Sequence, residues 1–239
     1  LSQSGLIAKS QKEFSDKFGS KGCFFGVNGA SGLIQSAVIA MANPGENILM
    51  PRNVHISVIK ICAMQNINPI FFDLEFSTRT GHYKPITKIW LENVFKKLNF
   101  DENKIAGVIL VNPSYQGYAG DLEPLIDCCH QKNLPVLVDE AHGSYFLFCE
   151  NLNLPKPALS SNADLVVNSL HKSLNGLTQT AVLWYKGDLI NEGNLIKSIN
   201  LLQTTSPSSL LLSSCEESIS DWLNKKSLSK YQKRILEAK

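Results

Sequence analysis

The 239-residue chain predicts an α/β fold, a mostly parallel β-sheet covered by helices on both faces. Three observations predict it. Strand-like apolar runs alternate with segments of helical spacing along nearly the whole chain. Several strand runs, "IAGVILV" among them, show no polar alternation, the pattern of strands buried on both faces. The composition, 44% hydrophobic and 18% charged, is that of a soluble globular protein long enough for a substantial core.

In chain order, residues 4–18 have helical spacing, with Leu6, Ile7, Phe14 and Phe18 on the apolar side. "CFFGV" is a short strand. "SGLIQSAVIAMA" is a helix ended by Asn43, Pro44 and Gly45. "NILM" is a strand, "HISVIKICAMQN" a helix and "PIFFD" a strand again. Residues 86–98 form an amphipathic helix around Ile89, Trp90, Val94 and Phe95. "IAGVILV" is a strand, "LEPLIDCCHQKN" a helix, and "PVLVD" and "ADLVVNS" are fully apolar strands. "AVLWY" follows a short turn, so it is expected to run antiparallel. Two helices close the chain.

A formal net charge of +2 gives no footing for nucleic-acid or membrane-surface binding. No apolar run approaches a membrane span, and the N-terminus lacks a signal-peptide layout. The six cysteines form no C-x-x-C pair and sit in or beside apolar runs, which predicts buried free thiols in a reducing compartment and no metal site. The chain starts on Leu1 and stops in a helix-like run, so both ends are expected to be cut from something longer.

In parallel sheets, ligands gather at the carboxyl ends of the strands. After "CFFGV" come Asn28-Gly29-Ala30-Ser31-Gly32 and a helix start, a phosphate cradle or simply a glycine turn capped by Ser31. It is not a P-loop, because no G-K-[ST] follows. After "NILM", His55 sits near a helix start, as a ring that stacks on a flat ligand or as a capping histidine. After "VILV" comes Asn112-Pro113-Ser114-Tyr115-Gln116-Gly117, a polar rim or an Asn-Pro turn. After "PVLV" comes Asp139-Glu140-Ala141-His142-Gly143, and a carboxylate at a buried strand end needs a positive partner. D-E-A-H also occurs in nucleotide-hydrolysing helicases, but that reading needs a phosphate loop upstream. After "ADLVV" come Ser169, His171 and Lys172, with Lys172 either a solvated turn residue or an amine held for chemistry. Together these ends supply what a phosphorylated pyridine aldehyde requires: a phosphate cradle, a stacking ring, hydroxyls, an acid and an amine.

The stretches "FFGVNGASG", "PRNVHIS", "LVNPSYQGYAGDL", "VLVDEAHGSYF", "ADLVVNSLHKSLNGLTQTAVL" and "LLQTTSPSSLLLSS" occur in this order. Together they resemble the major domain of the bacterial-type ornithine/lysine/arginine decarboxylases, of the aspartate-aminotransferase-like fold-type I pyridoxal-phosphate enzymes. The resemblance spans residues 5–220 and is most specific at S-x-H-K with its L-T-Q-T-A tail. It implies a three-layer αβα fold around a sheet of about seven strands, with residues 1–205 as an N-terminally truncated cofactor-binding domain. Residues 206–239 would be a helical segment leading to a missing C-terminal domain. It implies pyridoxal 5'-phosphate as cofactor. Lys172 matches the lysine that tethers it, Asp139 the acid at the pyridinium nitrogen, and His55 the stacking histidine. Ala30, Ser31 and Gly32 match the phosphate turn, with Ser169 and His171 as further phosphate-side contacts. Ser114 matches the residue near the phenolic oxygen, and His142 one beside the cofactor. Ala30 departs from the family's usual hydroxyl there, so backbone N–H groups are expected to supply that contact.

The implied activity is decarboxylation of arginine, lysine or ornithine to the amine and CO2, for polyamine synthesis in the cytoplasm. The implied assembly is a homodimer or higher homo-oligomer, with Thr178, Gln179 and Thr180 approaching the partner's cofactor. Two alternatives stay open: another reaction on the same cofactor, such as transamination or lyase chemistry, and a non-catalytic relative. The chain's arginines, Arg52, Arg79 and Arg234, offer no convincing clamp for an α-carboxylate.

Overall fold

The computed structural model describes residues 5–98, 104–148 and 154–237. The chain opens with α1 (Leu6–Phe18), β1 (Gly22–Gly26), α2 (Gly29–Met41), β2 (Asn47–Pro51), α3 (Ile56–Gln65) and β3 (Asn68–Phe72). A small hairpin, β4 (Phe76–Ser77) and β5 (His82–Tyr83), precedes α4 (Lys88–Lys97). Then come β6 (Ile105–Val111), α5 (Glu123–His130) and β7 (Val136–Asp139). After a 3-10 turn at Ser144–Phe148 follow β8 (Leu165–Ser169), the one-turn α6 (Leu170–Ser173) and β9 (Ala181–Tyr185). α7 (Glu192–Leu202), α8 (Ser209–Leu223) and α9 (Lys225–Glu237) complete the described chain.

The main sheet has seven strands in the order β1-β9-β8-β7-β6-β2-β3. β9 pairs antiparallel with both β1 and β8, and the remaining pairings are parallel. The antiparallel expectation for "AVLWY" holds because only a short loop separates it from β8.

The two-sided burial has a direct packing cause. Val108 and Leu110 of β6, Val166 of β8 and Trp184 of β9 join one core, with Phe14 of α1, Phe95 of α4, Ile126 of α5 and Ile219 of α8. Their strand neighbours Ile109, Leu165, Val167 and Leu183 join the other, with Leu33 of α2, Ile61 of α3 and Leu195 of α7. Successive side chains point to opposite faces, so each strand feeds both layers. The outer edge of β1 is protected by α1, where the Gln11 side chain accepts the Phe25 N–H at 2.9 Å.

Several expectations are corrected. Leu6 and Ile89 are 84% and 71% exposed, while α4 buries Phe95 as expected, together with Leu91, which the sequence pattern did not single out. Helical spacing leaves a rotational choice of face, and contact with the sheet makes it. The hairpin of β4 and β5 was not anticipated. Three helices rather than two close the chain, because the last helix-like run divides at Asn224. Cys23, Cys62, Cys128, Cys129 and Cys215 are free and buried as expected, and Cys149 lies outside the described residues.

Candidate active site

A cavity of about 100 Å³ opens at the carboxyl ends of the parallel strands. Its wall includes Ala30, Ser31, His55, Asp139, His142 and Lys172, six of the residues singled out from the sequence. They come from the ends of four strands, β1, β2, β7 and β8, which is why residues so far apart in the chain converge here.

Asp139 ends β7, flanked in register by Val111 of β6 and Val167 of β8. Its carboxylate is 7% exposed and accepts the Ala141 N–H at 3.1 Å. Burial pushes its pKa up, while that N–H, Lys172 and His55 pull the other way. Among the described residues it has no salt-bridge partner at contact distance.

Lys172 is the third residue of α6, which starts where β8 stops. Its Nζ lies 3.1 Å from His142 Nε2. Burial lowers the His142 pKa, and the electrostatic influence of Lys172 and His55 lowers it further. A neutral His142 protonated on Nδ1 accepts an N–H from Lys172. Tyr115, 82% exposed at the rim, meets the His142 ring edge-on with centroids 5.3 Å apart.

His55 is the N-cap of α3, and its Nδ1 accepts the Ser57 N–H at 3.2 Å. The capping and ligand-facing readings of this histidine are therefore compatible: Nδ1 caps the helix while the ring lines the cavity. The capping alternative for Ser31 is not what forms. Asn28 is the N-cap of α2, and Ser31 lies in its first turn. Gly29, with φ of +70°, turns the chain from β1 into α2, and its N–H bonds Gln179 O at 2.8 Å.

Four expected residues do not line the cavity. Gly32 is buried in α2, where an added Cβ would stand 3.0 Å from Asn28 Cβ. Ser169 Oγ and Thr180 O each lie 3.2 Å from His171 Nδ1, a cluster that ties α6 to β9. Ser114 faces a neighbouring hollow, where its Oγ accepts the Tyr118 N–H at 3.2 Å. None of the three arginines is on the wall, and Arg52 pairs with Asp73 at 2.7 Å. Pro113 and Tyr115, part of the rim read after β6, also line the cavity, and so do Asn53 and Val111, to which the sequence reading assigned no role. They belong to the same strand-terminal stretches, and that position was the signal available.

The donor set fits a phosphorylated, cationic heteroaromatic ring. The first turn of α2 leaves the Ala30 and Ser31 N–H groups without helical partners, at the positive end of the helix dipole. The Asp139 carboxylate, short of counter-charge, matches a protonated ring nitrogen. The exposed amine of Lys172 can reach an aldehyde from the open side.

The chain matches the family model "Orn/Lys/Arg decarboxylase, major domain" over residues 1–238. It is 36% identical over 212 residues to an arginine decarboxylase of Bacillus cereus, covering 89% of this chain and 45% of that protein. The constitutive lysine decarboxylase of E. coli superposes with a TM-score of 0.82 at 19% identity, over 99% of this chain and 34% of that one. Lysine decarboxylase A of Pseudomonas aeruginosa gives 0.84 at 18% identity, over 99% and 34%. The chain thus spans less than half the length of these relatives, and the fold it shares with them is that of the fold-type I pyridoxal-phosphate enzymes. With its matched segment running nearly end to end, the chain belongs to the Orn/Lys/Arg decarboxylase family and represents its major domain.

Proposed function

We propose that the protein removes CO2 from a basic amino acid, arginine, lysine or ornithine, with pyridoxal phosphate as cofactor, and so makes amines for polyamine synthesis. The observation that carries the reading is the shared cavity, with the buried Asp139 carboxylate and the Lys172 amine on one wall. Family membership and the arginine decarboxylase relatives support it.

Lys172 would hold the cofactor aldehyde, and His142 would take or return a proton at the lysine nitrogen, 3.1 Å from its own Nε2. Asp139, nearly cut off from water, would keep the ring nitrogen protonated by offering it a carboxylate. His55 stacks on the ring. Ala30 and Ser31 would present backbone N–H groups to the phosphate, Gly32 would let that turn close against Asn28, and Ser169 and His171 would brace the phosphate side from behind. Ser114 serves the phenolic oxygen from the adjoining hollow. When bound, pyridoxal phosphate supplies an electron sink for the charge left at the α-carbon. The cavity walls would choose the bond to break by orienting the substrate carboxylate.

Residues 1–205 form the cofactor-binding unit in this proposal, and 206–239 lead to a further domain. The unit works as a homodimer or higher homo-oligomer in the cytoplasm, with Thr178, Gln179 and Thr180 near the partner's cofactor. The buried free thiols suit a reducing compartment.

The test is an assay of the full-length protein with each of the three amino acids, measuring CO2 and amine against keto-acid formation. Stoichiometric CO2 and amine from one of them supports the proposal. Keto acid without CO2, or no turnover by a cofactor-loaded protein, overturns it.

A further inference from the structure

Two buried amide atoms beside the cavity, Asn53 Oδ1 and Asn112 Nδ2, have no hydrogen-bond partner among the described residues. Asn112 is 4% exposed, and its Oδ1 accepts the Gly120 N–H at 2.9 Å, which sets the amide's orientation. Its Nδ2 is therefore a donor in need of an acceptor, while Asn53 offers an acceptor in need of a donor. Both atoms belong to residues lining one hollow of about 20 Å³, together with Ser114 and Tyr118. Asn53 also lines the cavity that holds Asp139 and Lys172.

Size and charge decide what the hollow takes. A water needs roughly 10–15 Å³ and two to four polar partners, and a substrate side chain needs far more room. No carboxylate lines the hollow and Lys84 does, so a cationic amino-acid tail is disfavoured as well.

We propose that this hollow is a built site for one water molecule that couples two loops of the active site. The water accepts from Asn112 Nδ2 and donates to Asn53 Oδ1, with its second proton directed at Ser114 Oγ. It joins the turn that carries His55 to the turn that carries Tyr115. Asn53 is then a positioning residue acting through His55. The effect on turnover rests on the decarboxylase reading, whereas the water itself does not.

A high-resolution crystal structure of the full-length protein, with and without cofactor, tests the site directly. Density for a water within hydrogen-bond distance of both amides is expected in each form. Side chains that close the hollow and pair the amides with protein groups overturn the proposal. Kinetics test the consequence. Asn53→Leu should lower kcat about tenfold, with less change in KM, and shift the absorbance maximum of the bound cofactor. Asn53→Asp keeps the acceptor and should restore both. The double variant Asn53→Leu/Asn112→Leu should cost no more thermal stability than the worse single one, since each removes the same water. Equal losses in Asn53→Leu and Asn53→Asp, or additive losses in the double variant, overturn the coupling. If the protein proves to have no decarboxylase activity, the density and the stability cycle still judge the water by themselves.

Discussion

Asp164 and Asp139 stand at opposite ends of neighbouring strands, and both are nearly cut off from water, at 1% and 7% exposure. Asp164 precedes β8, where its Oδ2 accepts the Val136 N–H at 2.7 Å and meets His130 Nε2 at 2.8 Å. A neighbouring strand and a helix end are thereby locked to it. Asp139 takes one backbone N–H and otherwise looks into a cavity. The same side chain is bonded into the architecture at the amino end and faces a cavity at the carboxyl end. The difference is that β7 and β8 deliver their chain directly into helices only on one side of the sheet. There the cavity opens, while at the other end Asp164 is tied to the Val136 N–H and to His130.

The largest expected effect breaks this contrast at the carboxyl end. In the full-length protein, Lys172→Ala and Asp139→Ala should each lower turnover about a thousandfold or more, measured as CO2 release. Thermal stability should hold or rise in Asp139→Ala, because an under-paired buried carboxylate is removed. Lys172→Ala should also abolish the borohydride-fixable absorbance. Either variant keeping full activity would refute its assigned role.

At the amino end the expectation reverses. Asp164→Ala should cost about 3 kcal/mol of stability, since it strands the buried Val136 N–H and takes away the partner of His130. Denaturant titration measures this, and the kcat of the folded fraction should stay near that of the parent. A large kcat loss at unchanged stability would place Asp164 in the chemistry instead.

A smaller effect sharpens the comparison through pH. Glu140, next to Asp139 but facing the other layer, accepts the Ala158 N–H at 2.8 Å and an Asn168 N–H at 3.1 Å. Burial still pushes its pKa up from 4.5 to about 8. A raised acid pKa means that the folded state binds more protons than the unfolded one across that window. Its contribution is therefore fully present below pH 4.5 and is lost as pH rises through about 8. Glu140→Gln should flatten that decline in a series of melting curves. An unchanged slope would assign the decline to other groups. His142 acts with the opposite sign. Its lowered pKa makes its contribution full above 6.5 and lost as pH falls further.

The smallest effect is away from both ends. Ile89→Lys, on a side chain 71% exposed, should change stability by less than about 0.5 kcal/mol. A larger loss would show that this face of α4 is covered in the full-length protein.

The sequence by itself determined the strands of the main sheet and the loops worth inspecting. "IAGVILV" and "AVLWY" became strands with those same bounds, because burial on both faces writes an unbroken apolar run. Asp139, Lys172, His55 and His142 were legible because a polar group just after such a run is conspicuous. Tertiary structure alone decided the rest. It chose which face of α1 and α4 to bury, and it turned Ser114 and His171 away from the cavity wall while bringing Asn53 and Tyr115 onto it. It also left Asn53 and Asn112 with complementary unmet hydrogen bonds. Local periodicity reports whether a residue is covered. Which distant residue covers it depends on strand order and loop paths, and these arise only when the whole sheet assembles.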